Sequence, residues 1–334
     1  MRSVRSGCHW LLVSQCSAED CRTTLICVHL RVSVVIFVLS VEHCWTSQQW
    51  HPQDDACYYR RSPSCAVSAG LLSFLKRCET IDSIDCQRIV RESFVDRVEH
   101  YRTLASTQER AHTVAADGTG ESAVLIVADR QSAGRGRGAN RWHTGEGSLA
   151  FSLLWDPRSW GLAPLAMPQR SLAAAVALVD TVTPLLPGHV VGLHWPNDVY
   201  VADRKLAGIL IDVLVDGRHI LGVGVNTNNR LDDAPADVRP RAVSIVEMTQ
   251  HGIDHTDFLI RLLRAIRTAF DPTGALGAEI GSRFNRLCLQ IGGELTIDVG
   301  GKAATGVCAG IDPDGALLLD TPGGRRRFTC GVLR

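Results

Sequence analysis

The segment Val190–Asn226, VVGLHWPNDVYVADRKLAGILIDVLVDGRHILGVGVN, decides the fold. Four apolar and β-branched runs follow one another in it: Val190–Trp195, Asp198–Ala202, Lys205–Val215 and Arg218–Asn226. Their breaks carry turn residues, Asp203-Arg204 and Asp216-Gly217, so the spacing predicts consecutive strands joined by hairpins. Upstream, Glu121–Asp129 (ESAVLIVAD) and Ser148–Trp155 (SLAFSLLW) read as two further strands. Helical spacing runs through Pro168–Leu186 and stops at Pro187-Gly188. Leu259, Leu262, Leu263, Ile266 and Phe270 share one helical face, with Thr256 as the expected N-cap. Hairpins alternating with one-faced helices predict an α/β domain, a mixed β-sheet flanked by helices.

Toward the C-terminus the pattern changes. Glu294–Val299, Lys302–Ile311, Ala316–Thr321 and Arg325–Val332 are short strands separated by Gly300-Gly301, Asp312-Pro-Asp-Gly315 and Pro322-Gly-Gly324. They predict a small all-β barrel or meander of about 45 residues, a size that needs a neighbour to pack against.

The other end differs in composition. Nine of the twelve cysteines but only two of the 30 glycines lie in the first 98 of 334 residues. An odd number of cysteines without CxxC spacing argues against a disulfide module or a metal site. The apolar run Leu25–Val41 is short for a membrane span and carries His29 and Arg31 in its middle. No cleavage site marks a signal peptide, and no amphipathic helix pair marks a winged DNA-binding domain. Residues 1–90 are therefore expected to be a poorly patterned extension, disordered, absent from the mature protein, or translated from a start assigned too far upstream. Residues 91–287 form the α/β domain and 288–334 the small β unit. The formal net charge of zero argues against a generally basic protein with non-specific nucleic-acid affinity.

Chemistry concentrates in Gly134-Arg-Gly-Arg-Gly-Ala-Asn-Arg-Trp142. Its glycines let backbone amides approach an anion, and its arginines add forked donors suited to phosphate or carboxylate. Lying between strands, the stretch is neither a dinucleotide fingerprint nor a P-loop, both of which open a helix. A solvated basic hairpin is the bland alternative. Trp142 favours a ligand site, because an aromatic ring beside arginines can stack on a planar base. The second signal is Trp195-Pro-Asn-Asp198 with Arg204-Lys-Leu-Ala-Gly-Ile-Leu210. Proline followed by Asn197-Asp198 is also ordinary turn chemistry. Lys205 stands out because the chain uses three lysines against 32 arginines. A compact ammonium can bridge two anions as a point charge, which a guanidinium does less well.

Ser106-Thr107, the GRGR loop with its tryptophan, WPND, RKLAGIL and Gly222-Val-Gly-Val-Asn226, in that order, resemble bacterial biotin–protein ligases of the type without an N-terminal DNA-binding domain. Gly310-Ile-Asp-Pro-Asp-Gly-Ala-Leu-Leu-Leu319 looks like their small C-terminal barrel. The resemblance covers about residues 95–334. It implies that biotin and ATP form biotinyl-5′-adenylate and pyrophosphate, after which a lysine of a biotin carboxyl carrier protein takes the biotinyl group. By the same resemblance Lys205, Arg135, Arg137 and Asp198 are catalytic. Ser106, Thr107, Gln108, Gln131, Arg135, Gly136, Arg137, Lys205 and Gly208 would bind biotin. Gly134, Arg135, Arg137, Trp142, Asn197, Asp198, Lys205 and Asn226 would bind ATP, Trp142 as a stacking surface for adenine or a lid. The Gly136 amide would join the arginines on the anions, and Asp198 would orient Lys205 or hold a nucleotide-borne Mg²⁺. A cytoplasmic location follows from these partners, with no DNA and no membrane among them and the subunit number left open. Two positions depart from the family: Gln108 replaces an asparagine, and the third loop arginine falls on Asn140 with Arg141 beside it. Alternatives are a lipoate–protein ligase, which shares fold and adenylation chemistry, a biotin-sensing repressor, which would need a helix-turn-helix, and a biotin-binding protein without ligase activity.

Overall fold

A computed structural model describes residues 56–61, 84–118, 122–160, 167–271 and 275–333 and, before residue 52, the backbone of five short strands. These are β1 (Cys16–Ser17), β2 (Asp20–Cys21), β3 (Ile26–Leu30), β4 (Ser33–Ser40) and β5 (Cys44–His51). Most of the cysteine-rich extension thus lies outside the described residues, and the apolar run Leu25–Val41 contains β3 and β4. After β6 (Ala56–Arg60) and α1 (Cys86–Glu92) come β7 (Arg97–Leu104), α2 (Thr107–Asp117), β8 (Ala123–Gln131) and β9 (Leu149–Trp155). Helix α3 (Met167–Val182) leads to the segment quoted first, which folds as β10 (Val191–His194), β11 (Asp198–Val201), β12 (Arg204–Val213) and β13 (His219–Val225). The helices α4 (Ile245–Thr249), α5 (His255–Ala269) and α6 (Ala275–Leu287) complete the α/β part.

One sheet runs β10-β11-β12-β13-β9-β8-β7-β6-β5-β4-β3, antiparallel throughout except for the parallel pair β7 and β8. The expected mixed sheet is therefore present. Its main core lies on the face covered by α1, α3, α5 and α6, with Phe151, Trp155, Leu172, Leu178, Leu259 and Leu263 buried together. Helix α2 covers the opposite face with Ala111 and Val114 on Val124, Ile126 and Ile220. Burying both faces explains why β9 is buried along its whole length.

Two sequence expectations shift. The β11–β12 hairpin turns at Ala202-Asp203, both at positive φ, and not at Asp203-Arg204, because Arg204 already pairs with Val201. Helix α5 is capped by Asp254, whose side chain accepts from the Asp257 N–H at 2.9 Å, and not by Thr256. The Thr256 hydroxyl instead accepts from the Asp85 N–H ahead of α1.

The C-terminal unit is a five-stranded antiparallel sheet ordered β17-β16-β15-β14-β18. Its strands are β14 (Glu294–Val299), β15 (Lys302–Ile311), β16 (Leu317–Thr321), β17 (Gly324–Phe328) and β18 (Val332–Leu333). The single run expected over Arg325–Val332 splits here: β17 pairs with β16, and β18 crosses back to β14. The connection from α6 lies along β10, where the Leu289 N–H donates to the Leu193 carbonyl at 3.0 Å. Gly192 permits that approach, since a Cβ there would sit 2.6 Å from the Leu287 carbonyl oxygen. Trp195 ties the two parts together: its indole N–H donates to the Gly315 carbonyl at 2.9 Å, so WPND meets the Asp-Pro-Asp-Gly turn. Among the described residues, no helix is long and apolar enough to cross a membrane.

Candidate active site

A cavity of about 250 Å³ opens on the α2 side of the sheet. A bulge aims its lysine. Between β11 and β12 the register slips by one, Tyr200 facing Lys205 but Val199 facing Ala207, so Leu206 is an extra residue. Leu206 and Ala207 are both buried, and the alternation resumes one step later. Lys205 thereby shares a face with Gly208 and Asp198, and its Nζ lies 2.7 Å from Asp198 Oδ2. Asp198 Oδ1 is buried without a hydrogen-bond partner. Among the described residues, no three ligating side chains converge on a metal position. One carboxylate with a spare oxygen nonetheless fits a Mg²⁺ whose other ligands are phosphates and water.

The Gly134–Trp142 stretch is a small hairpin. Arg135 and Arg141 bridge, the Gly136 N–H donates to the Asn140 carbonyl at 2.9 Å, and the Trp142 N–H to the Gly134 carbonyl at 3.0 Å. The Gly136 amide expected to meet an anion is thus taken by the loop itself. Gly134 serves the hairpin too, for a Cβ there would fall 2.5 Å from the Trp142 carbonyl oxygen. Arg135 is exposed and lines the cavity, whereas the Arg137 guanidinium donates to the Gly331 carbonyl of the C-terminal unit. Burial lowers the Arg137 pKa from its ordinary value, with Asp198 and Cys330 acting in the other direction. The Trp142 ring lies over Gly208 and Gly224, which face one another across β12 and β13.

At the other end of the cavity, Ser106 is the N-cap residue of α2 but makes no side-chain cap bond, and its Oγ is buried without a partner. Gln131 Oε1 accepts from the Thr107 N–H at 2.8 Å, and Gln131 Nε2 donates to Thr144. Gln108 is held by Ser152, Asp212 and the Ile220 carbonyl. His194 and Tyr200 stack at 3.7 Å beside Asp198. Burial lowers the His194 pKa against the pull of Asp198 and Asp203, and burial followed by Asp198 raises that of Tyr200.

Of the residues expected from sequence, Ser106, Thr107, Gln108, Gln131, Arg135, Gly136, Arg137, Trp142, Asn197, Asp198, Lys205 and Gly208 line this one cavity. Gly134 and Asn226 do not. Asn226 is buried below the sheet end, where its Oδ1 accepts from Asn229 Nδ2 at 3.2 Å. Asn197 ties its turn to β12, donating to the Ile209 carbonyl at 2.5 Å. Sequence reasoning missed Ser152, His194, Tyr200, Val332 and Leu333, which also line it. Period-two alternation from Asp198 would have found Tyr200, but nothing local marks Val332 or Leu333.

Residues 101–228 match the biotin/lipoate A/B protein ligase family, and residues 291–332 match the biotin protein ligase C-terminal domain. The biotin--[acetyl-CoA-carboxylase] ligase of Mycobacterium tuberculosis is 30% identical, over 71% of this chain and 90% of that protein. The bifunctional ligase/repressor BirA of Bacillus spizizenii is 31% identical, over 67% of this chain and 70% of its own. Among solved structures, the biotin protein ligase from Aquifex aeolicus in complex with biotin and ATP superposes with a TM-score of 0.61 and 26% identity. That likeness covers 71% of this chain and 98% of the other.

Proposed function

The chain belongs to the biotin protein ligase family, and on that premise we propose how this cavity performs the ligase reaction. The protein is an ATP-dependent ligase. A biotin carboxylate oxygen attacks the α-phosphorus of ATP, pyrophosphate leaves, and biotinyl-5′-adenylate forms. The amine of a carrier-protein lysine then attacks the acyl carbon, and AMP leaves.

The observation that carries this reading is the contact of Lys205 Nζ with Asp198 Oδ2 in the same cavity as the unpartnered Ser106 hydroxyl. Bringing two anions together is the electrostatic problem of the first step, and a preorganised cation addresses it. Lys205 bridges carboxylate and α-phosphate, with Asp198 holding its ammonium in place. Arg135 and Arg137 neutralise the phosphates, Arg137 while one of its N–H groups stays on the Gly331 carbonyl. Ser106, Thr107, Gln108 and Gln131 meet the polar head of biotin, and Gly208 leaves its chain room. Trp142, which closes the cavity over the glycine strip, faces the nucleotide and keeps water from the acyl-adenylate. Asp198 Oδ1 would hold Mg²⁺, which supplies charge neutralisation on the nucleotide phosphates.

Residues 91–287 are the catalytic part and 288–334 the accessory β unit, with 1–90 outside the reaction. The chain is read as the type without an N-terminal DNA-binding domain, acting in the cytoplasm on a biotin carboxyl carrier protein. The test is pyrophosphate release with biotin, lipoate or no acid. Release with biotin alone is the expected result; release with lipoate would assign a lipoate ligase, and none with either acid a binding protein.

A further inference from the structure

We infer that Asp212 is a positioning residue for the acid-binding end of the cavity: it turns the Gln108 amide so that its carbonyl faces the ligand. The inference rests on the ligase reading above. Gln108 is 3% exposed and reaches across the sheet from α2. Its Nε2 donates to Asp212 Oδ2 at 3.0 Å and to the Ile220 carbonyl at 3.4 Å. Both partners accept only, so chemistry leaves a single orientation for the amide. Its Oε1 then accepts from Ser152 Oγ at 2.9 Å and lies 2.5 Å from where a Gly222 Cβ would stand. Ser152 and Gly222 line the cavity; Asp212 does not.

Asp212 is itself held from outside. His112 of α2 places its Nε2 2.9 Å from the same Oδ2, and the pair opens on a neighbouring groove shared with Glu109 and Arg135. Asp212 follows Gly208 and Leu210 on one face of β12, so the strand that aims Lys205 also carries this carboxylate. A shorter asparagine at 108 would fall one methylene short of it. A carbonyl with a second lone pair free accepts an N–H of a cyclic urea; an amide turned the other way would present a donor to a donor.

The experiment compares the wild type with Asp212→Asn, Gln108→Asn and the double variant. Asparagine at 212 can donate as well as accept, so the amide keeps only the longer, uncharged 3.4 Å bond to the Ile220 carbonyl as an accept-only constraint. Losing that charge-assisted constraint should raise KM for biotin about tenfold in Asp212→Asn while kcat and KM for ATP stay within about twofold. In the Gln108→Asn background, Asp212→Asn should add nothing. An unchanged biotin KM, a parallel rise in both KM values, or multiplying effects of the two substitutions would overturn the inference. Titration calorimetry of biotin into the same four proteins repeats the comparison without catalysis, and thermal melts separate it from unfolding. Wild-type protein that binds biotin but forms no adenylate would refute the ligase reading while leaving this comparison intact.

Discussion

Gly208 and Gly224 stand opposite one another on β12 and β13, and the Trp142 indole lies on the bare strip they leave. A methyl group at 224 would sit 2.2 Å from the indole Cε2, far inside contact distance, so the ring must lift. Overpacking of this kind costs about 1–3 kcal/mol. Gly224→Ala should therefore lower Tm by several degrees, and the displaced ring should slow adenylate formation. Adding Trp142→Ala should restore the melting temperature but not the rate. Recovery of both would show that Trp142 has no part in the reaction.

Lys205 is the most direct test of the electrostatic step. Lys205→Ala should slow biotinyl-adenylate formation by about 10²–10³-fold, the scale of removing one preorganised transition-state contact. Its partly exposed pair with Asp198 is worth about 0–1 kcal/mol, so the melting temperature should hardly move. Lys205→Arg should remain slow, because a planar fork does not replace a point charge between two anions. Single-turnover adenylation that survives Lys205→Ala would remove the residue from the mechanism.

Stability should fall on mild acidification. Burial lowers the pKa of His194, His219 and His255 from the ordinary imidazole value. The unfolded chain binds these protons from about pH 6.5 downward, before the folded chain does, so the unfolded state gains protons and stability is lost as pH drops. Each imidazole contributes at most about 1.4 kcal/mol per pH unit in that window. His255→Gln, which keeps a partner for Thr227, should flatten the dependence. Thermal melts between about pH 7.5 and 5.5 that show no slope would contradict the burial argument.

The C-terminal segment should matter to catalysis although no catalytic side chain lies on it. Removing Gly331–Arg334 takes away the carbonyl that holds Arg137 and two residues of the cavity wall. The strand lost has two residues, so the fold should persist with a small drop in Tm. We expect kcat/KM for adenylation to fall about tenfold, roughly 1.4 kcal/mol of transition-state binding. A truncated chain with full kcat/KM would show that Arg137 needs no such anchor.

The hairpins of Val190–Asn226 were legible within a residue or so because alternation and turn chemistry are local. The bulge at Leu206 was not, since both registers satisfy the apolar pattern until Lys205 is placed beside Asp198. Thr256 looked like a cap for the same reason: its hydroxyl is claimed by Asp85, 171 positions away in sequence. The loop glycines suggest anion contacts in sequence, whereas Gly134 has no room for a Cβ beside the Trp142 carbonyl and the Gly136 amide is spent on the Asn140 carbonyl. Gln108 was marked by its departure from asparagine, but its partner Asp212 lies 104 positions on and carries no local signal. Val332 and Leu333 reach the cavity only because the β unit docks there, a tertiary event that strand patterns do not encode.

The connection that runs along β10 also bears on the border of the sheet. β10 ends the sheet, and an uncovered outer strand offers unpaired N–H and carbonyl groups to any other strand. Leu289 occupies the Leu193 carbonyl, and its side chain crowds Gly192. The tether of the β unit is thus also an edge cover: the segment that carries the small domain occupies part of the outermost strand's hydrogen-bonding border.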